Sequence, residues 1–139
     1  MAGECFVDTS AWYPIIDAAH PQHAALAEPL REMIARRRRL VTTNLIVAET
    51  HALLLRREGR RAALAGLDGI SRSADVLVHS TPEWETTARR DWIERYTDQA
   101  FSLADAVSFA VMRARRIDDV LTLDRHFTVA GFRVMPDGA

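Results

Sequence analysis

Cys5-Phe6-Val7-Asp8-Thr9-Ser10-Ala11-Trp12 is an apolar, strand-like run that ends in an acid and passes through small polar residues into a helical pattern. A strand feeding straight into a helix is the opening unit of an α/β fold. An acid at the end of such a strand lies at the carboxyl edge of the sheet, where open α/β sheets keep their ligand sites. Asp8 is therefore the first candidate residue.

Working outward, the same unit recurs. Apolar runs at 40–42, 75–79, 119–123 and 132–135 read as strands. Between them, helical spacing places Leu26, Leu30, Met33 and Ile34 on one stripe from Gln22 onward, and Thr43-Asn44 starts a helix ending near Glu58-Gly59. That third helix is almost wholly apolar over 45–55, which predicts burial on most sides. Residues 60–70 form another helix. Ser80-Thr81-Pro82-Glu83 starts one that carries Trp84, Ala88 and Trp92 to about Tyr96, and Ser102 starts one running through Arg116. Strands alternating with helices imply a parallel sheet covered on both faces through right-handed crossovers.

The 139 residues suit one domain spanning 1–139. A hydrophobic fraction of 48% and a charged fraction of 27% are globular values. No apolar run approaches the roughly 20 residues of a membrane span, so the expected compartment is the cytoplasm and no membrane partner is expected. Cys5, the lone cysteine, reads as a small buried side chain. All 18 basic residues are arginine, and the net charge is -1. The absence of lysine closes Schiff-base chemistry, the P-loop lysine and the lysine of phospho-aspartate receivers.

Three further acids share the standing of Asp8. Glu49 has Leu45, Ile46, Ala52 and Leu53 one helical turn away on either side, so its carboxylate is expected in a core-like setting, where an unpartnered charge is costly. Asp124 ends an apolar run and opens a turn, as Asp8 does, and a helix N-cap is the competing role for both. Asp105 stands fourth in Ser102-Leu103-Ala104-Asp105, the pattern of a capping box. Two carboxylates about 4 Å apart repel by roughly 4 kcal/mol at an effective dielectric near 20, so a cluster of four calls for a divalent cation or shifted pKa values. All-oxygen ligation suits Mg2+, with Mn2+ an alternative, rather than zinc; the histidines at 20, 23, 51, 79 and 126 show no ligand spacing. Asp98 is a candidate outer ligand. With Asp8 as a ligand, capping of its helix falls to Thr9 or Ser10.

Val7-Asp8-Thr9-Ser10, the segment from Asn44 to Glu49, Leu103-Ala104-Asp105-Ala106-Val107-Ser108 and Leu121-Thr122-Leu123-Asp124-Arg125-His126-Phe127 together resemble the four acidic motifs of PIN-domain ribonucleases, nearest to the VapC-type toxins of bacterial toxin-antitoxin pairs. The resemblance spans nearly the whole chain. It implies a PIN-like three-layer α/β/α fold with a central parallel sheet of four to five strands, and a catalytic and metal-binding quartet of Asp8, Glu49, Asp105 and Asp124 with Ser10 or Thr9 as polar helper. It also implies a Mg2+-dependent endoribonuclease, a homodimer, and a VapB-type antitoxin whose C-terminal segment lies over the acidic groove.

The chemistry expected of such a quartet is hydrolysis of an RNA phosphodiester by metal-activated water, without a covalent protein intermediate. Arg36 to Arg39 read first as cations at a helix C-terminus and second as contacts to the RNA backbone. Trp12 and Phe127 are candidates for stacking on a base, although core packing explains the tryptophans and Tyr13 equally well. The competing functional class is a PIN-like module that binds RNA or protein without cutting. A receiver domain is the third reading, and the missing lysine counts against it.

Overall fold

The opening strand, β1 (Cys5–Val7), takes the centre of a sheet and is buried at every residue. It pairs in parallel with β2 (Leu40–Thr43) on one side and β4 (Asp119–Leu121) on the other. The edges are β3 (Val76–Val78) and β5 (Arg133–Met135), again parallel. The computed structural model describes residues 3–136, and within them the order β3-β2-β1-β4-β5 forms the middle of a three-layer α/β/α fold with five strands. From β1 the chain crosses to β2 on one side, whereas β4 is filled later from the other. The sheet therefore has its topological switch point between β1 and β4, the position at which open sheets form a crevice beyond the strands' carboxyl ends.

Helices α1 (Thr9–Ile16) and α2 (His23–Ala35) connect β1 to β2, and α3 (Asn44–Glu58) and α4 (Arg60–Ser73) connect β2 to β3. Next come α5 (Pro82–Ala88), a π-helical turn over Arg89–Ile93, α6 (Leu103–Arg115) and the single turn α7 (His126–Val129). The caps lie where polar side chains precede apolar periodicity. Thr43 Oγ1 accepts from the Ile46 N–H and Thr81 Oγ1 from the Trp84 N–H, each at 3.2 Å. Cys5 is fully buried, and burial pushes its thiol up to about 12, which suits a packing role.

Several elements differ from the expectation. The strand at 119–123 stops at Leu121; the Thr122 N–H still donates to Met135 O at 3.1 Å, while its hydroxyl turns to Asp8. The helix begun at Thr81 keeps α geometry only to Ala88 and ends with the π turn at Ile93, which still buries Trp92. Ile34 leaves the buried stripe of α2 and is 55% exposed. The larger correction is α3, which buries only Ile46, Thr50 and Leu54, one stripe at i, i+4 and i+8. It packs on α1 and α4 along that stripe, with Leu45, Val47 and Leu53 half-buried beside it, and Ala48, Glu49, Ala52 and Leu55 face outward. An apolar composition does not by itself enclose a helix. Gly66 marks how closely α4 approaches: a Cβ there would sit 2.4 Å from Leu54 Cδ1.

At the amino ends of the strands, arginine and carboxylate alternate. Arg38 reaches Asp119 at 2.9 Å and also donates to the carbonyls of Gly3 and Glu4. Asp119 additionally accepts from Arg133, and Arg115 grips Glu4 through two hydrogen bonds of 3.0 and 2.8 Å. The Arg38 and Arg133 donors hold the Asp119 carboxyl below its ordinary value despite burial. Arg36 to Arg39 therefore lie at the sheet end opposite Asp8, and Arg38 ties β2 to β4.

Candidate functional site

Asp8 leaves β1 with extended backbone and its side chain accepts from the Ser10 N–H, so the acid itself caps α1; neither Thr9 nor Ser10 takes that role. Two hydroxyls close on the same carboxylate oxygen. Thr122 Oγ1 donates to Asp8 Oδ2 at 2.9 Å and Ser10 Oγ donates to it at 3.0 Å. Each hydroxyl in turn accepts a backbone N–H from the turn after β4, Ser10 from Leu123 at 2.8 Å and Thr122 from Asp124 at 2.9 Å. The net ties the ends of β1 and β4 together at the switch point. It also fixes the carboxylate's orientation by hydrogen bonds that the turn cannot easily release.

The electrostatic cost is visible. Asp8 is 3% exposed, and burial pushes its carboxyl up to about 6, with the charge of Asp105 acting in the same direction against the Thr122 and Ser10 hydrogen bonds. Asp105 is also raised, chiefly by burial and then by the field of Asp124. Its place on α6 follows from the capping box: Ser102 Oγ accepts from the Asp105 N–H at 3.0 Å, and Asp105 Oδ2 accepts from the Ser102 N–H at 3.2 Å. Capping thus holds the carboxylate at the first turn of α6, where the capping oxygen Oδ2 also meets His126.

Asp124 follows β4 and is half-buried. Its Oδ1 accepts from the His126 N–H at 2.9 Å, a local turn rather than the cap of α7, whose N-cap residue is Arg125. That turn brings the His126 ring into the cluster, with Nδ1 3.3 Å from Asp105 Oδ2 and 3.5 Å from Asp124 Oδ1. Phe101 meets the ring edge-on at 5.2 Å between centroids and holds its plane. One ligand atom each from Asp105, Asp124 and His126 lie within 4.8 Å of one another. His126 has no ligand spacing to another histidine in the sequence, because its partners are acids two and twenty-one residues away. Thr122 and Ser10 carry the clearer signal: a hydroxyl two residues before Asp124, and another two after Asp8.

Glu49 requires a correction. It is exposed rather than set in a core, and it joins the site through Thr9, whose Oγ1 donates to Glu49 Oε1 at 2.7 Å. Its apolar neighbours along α3 face different sides of the helix, and only the stripe of Ile46 and Thr50 is buried. Thr9 follows Asp8 directly, so α3 presents Glu49 at the same sheet end as the other acids. Asp98 is exposed in the turn before α6 and forms no part of the clustered groups. Trp12 and Phe127, candidates for base stacking, are 1% and 0% exposed and belong to the core. Trp92 and Tyr13 are buried as well.

The donor set fits a hard divalent cation. Buried carboxylates raised by desolvation and by one another are the groups a cation would relieve, and their oxygens suit Mg2+ or Mn2+. The imidazole of His126 adds a borderline nitrogen that manganese accepts more readily than magnesium. Beside the cluster opens a hollow of about 210 Å³, lined by Gln99, Asp124, Arg125, His126 and Val129. Its mouth therefore carries one exposed guanidinium, that of Arg125.

A family model described as the PIN domain matches residues 5–133. The 23S rRNA-specific endonuclease VapC20 of Mycobacterium tuberculosis is 37% identical over 128 residues, which cover 91% of this chain and 94% of that protein. Ribonuclease VapC26 of the same organism is 36% identical over 124 residues, 88% of each chain. The crystal structure of VapC20, described as a sarcin-ricin loop cleaving toxin, superposes with a TM-score of 0.80 at 35% identity and covers 94% of this chain and 97% of that one.

Proposed function

This chain belongs to the PIN-domain family, and from that premise we propose that it is a metal-dependent endoribonuclease, the toxin of a VapBC-type toxin-antitoxin pair, with residues 1–139 acting as one domain. The observation that carries the reading is the buried net at the switch point, where Ser10 and Thr122 orient Asp8 within the field of Asp105, which in turn clusters with Asp124 and His126. In this reading Asp8, Glu49, Asp105 and Asp124 are the catalytic and metal-binding residues, with Mg2+ as the cofactor and Mn2+ as its substitute.

The bound cation supplies Lewis-acid stabilisation of phosphate charge and eases deprotonation of water. The chain's own residues do the rest. Thr122 and Ser10 keep Asp8 oriented and ionised, while Ser102 keeps Asp105 facing the cluster. Thr9 holds the exposed side chain of Glu49 at the site's edge. Arg125, exposed at the hollow, is placed to meet a phosphate oxygen of the RNA with a charged, forked donor.

The substrate is RNA, and the relative named as 23S rRNA-specific makes ribosomal RNA the first substrate to try. The proposed protein partners are a VapB-type antitoxin and a second copy of the chain, in the cytoplasm. Leu55 and Leu64, 45% and 55% exposed on the α3–α4 pair, support an interface there. Among the described residues no helix is long and apolar enough to cross a membrane.

The test is cleavage of ribosomal RNA by the purified protein with Mg2+ or Mn2+, beside Asp8→Asn and Glu49→Gln. Wild type should cut only with the cation, and both variants should lose cleavage while retaining native circular dichroism. Cleavage by both variants at the wild-type rate would sink the reading. RNA binding without metal-dependent cutting by any of the three would favour a non-catalytic module.

A further inference from the structure

The arginines at the amino end of the sheet are not all used by the fold. A hollow of about 390 Å³ opens there between the ends of α2 and α4, and its charged lining is Arg37, Arg38, Arg39, Arg72 and Asp75. Arg38 is committed to Asp119. Arg39 is 61% exposed on its side chain and stands 3.6 Å from a Glu4 carboxylate that Arg115 already grips at 2.8 Å. Arg37 and Arg72 are exposed and form no ion pair among the described residues. The lone acid of the lining, Asp75, is engaged by the Leu40 N–H at 2.8 Å. Two guanidinium groups, Arg37 and Arg72, thus border the space without a carboxylate partner among the described residues, and Arg39 shares one.

Arg37 also occupies a position that local stability does not reserve for arginine. Its N–H bonds to Ile34 O at 3.0 Å and the Arg38 N–H bonds to Met33 O at 2.9 Å, the closing pattern of a helix whose next residue is left-handed, and Arg37 has φ 57°. Glycine is the usual occupant, and a side chain there costs about 1 kcal/mol. A cation at an exposed helix C-terminus returns about 0.3–1 kcal/mol, which at most offsets that cost, so the helix gains nothing from arginine in place of glycine. The same substitution recurs at Arg116 after α6, with φ 58°, at the same end of the sheet.

We infer that this arginine-lined hollow is a phosphate-binding site that holds a stretch of folded RNA remote from the bond cut at the acid cluster. The inference rests on the ribonuclease reading above. Forked, always-charged donors without an internal partner match phosphate oxygens bidentately. Position supplies the second half of the argument. Glu4 and Asp8 are separated by about 13 Å of strand, and a path between the two ends must also clear a helix layer about 10 Å thick. An RNA of a few nucleotides cannot reach both, so the site favours a large folded RNA and leaves a tetranucleotide unaffected.

The experiment measures binding and cutting separately on the full chain. Binding of a ribosomal stem-loop and of a tetranucleotide is followed by fluorescence anisotropy in chelator at several salt concentrations. Cleavage of both probes is then followed with Mn2+. The variants are Arg37→Asn, which tolerates the left-handed backbone, and Arg72→Gln, with Arg61→Gln as an exposed control on α4. Each test variant should weaken stem-loop binding about fivefold and flatten the slope of log K against log salt by about 1, with tetranucleotide cleavage at the wild-type rate. Unchanged stem-loop binding, an equal loss in the control, or an equal loss on the tetranucleotide would each overturn the site. So would arginine-dependent binding of poly-glutamate with stem-loop binding intact, which would assign the hollow to an acidic protein segment. Because binding is read in chelator, a protein that never cuts RNA yet loses stem-loop binding in the variants would refute the ribonuclease reading alone.

Discussion

Replacing Asp8 with asparagine should stabilise the metal-free protein and abolish its cleavage. The carboxyl lies at about 6 in the folded chain against an ordinary 3.8, so the folded state holds the proton more tightly than the unfolded chain does. The sign follows directly: this acid favours folding below pH 4, and that contribution is lost as pH rises through 6. At 1.36 kcal/mol per pH unit, the difference between the two values amounts to about 3 kcal/mol of destabilisation above pH 7 and about 1 kcal/mol at pH 4.5. Asparagine keeps the cap and an oxygen for the Thr122 and Ser10 hydroxyls and removes the charge. Urea or thermal denaturation in chelator should therefore show Asp8→Asn more stable than wild type by about 3 kcal/mol at pH 7.5, roughly 10 °C in Tm, shrinking to about 1 kcal/mol at pH 4.5. A difference between variant and wild type that does not change with pH would refute the assignment of a burdened carboxylate at this position, as would a less stable variant at pH 7.5.

Saturating Mn2+ should raise the Tm of wild type and leave that of Asp8→Asn nearly unmoved, since a ligand bound only by the folded state stabilises it by RT ln(1 + [L]/Kd), about 2.7 kcal/mol at a hundredfold excess over Kd. Thr122→Val, nearly isosteric, deprives Asp8 of a donor and the Asp124 N–H of its acceptor; denaturation should reveal a loss of about 1–3 kcal/mol, and single-turnover cleavage should fall at least about tenfold. Glu49→Gln should behave oppositely to a core substitution, changing stability by less than about 0.5 kcal/mol while cleavage is lost, because the side chain is exposed and glutamine still accepts from Thr9. Arg38→Met should cost about 1–3 kcal/mol by leaving the buried Asp119 with Arg133 as its remaining ion-pair partner, with tetranucleotide cleavage per folded molecule unchanged.

Much of the frame was legible in the chain. Alternating strands and helices predict the parallel sheet, and Thr43, Thr81 and Ser102 mark helix starts by a mechanism that depends only on nearby residues. Asp8, Asp105 and Asp124 were legible for the same reason, since each sits at the end of a strand or the start of a helix, and β-strand register carries two of them to one crevice. Glu49 exposes the limit of such reasoning. Its helix neighbours state what lies along α3, whereas its burial depends on what packs across α3, and α1 and α4 leave the side that carries Glu49 open. His126 illustrates a different limit. Its ring is brought to Asp105 by the turn after β4 and fixed by Phe101, and neither contact leaves a periodic trace in the sequence.

The net charge of -1 hides a separation that matters more than its sum. Carboxylates gather at the strands' carboxyl ends, and arginines crowd the amino ends, where helix C-termini accept positive charge. The hydroxyls of Ser10 and Thr122 could have satisfied a neutral cap at position 8 at no electrostatic cost; they surround a carboxylate instead, close enough to Asp105 for each to raise the other's burden when both are charged. A cation is the counter-charge that would turn this burden into binding energy, which is why the most stabilising change available at the site is also expected to be the most damaging to its chemistry.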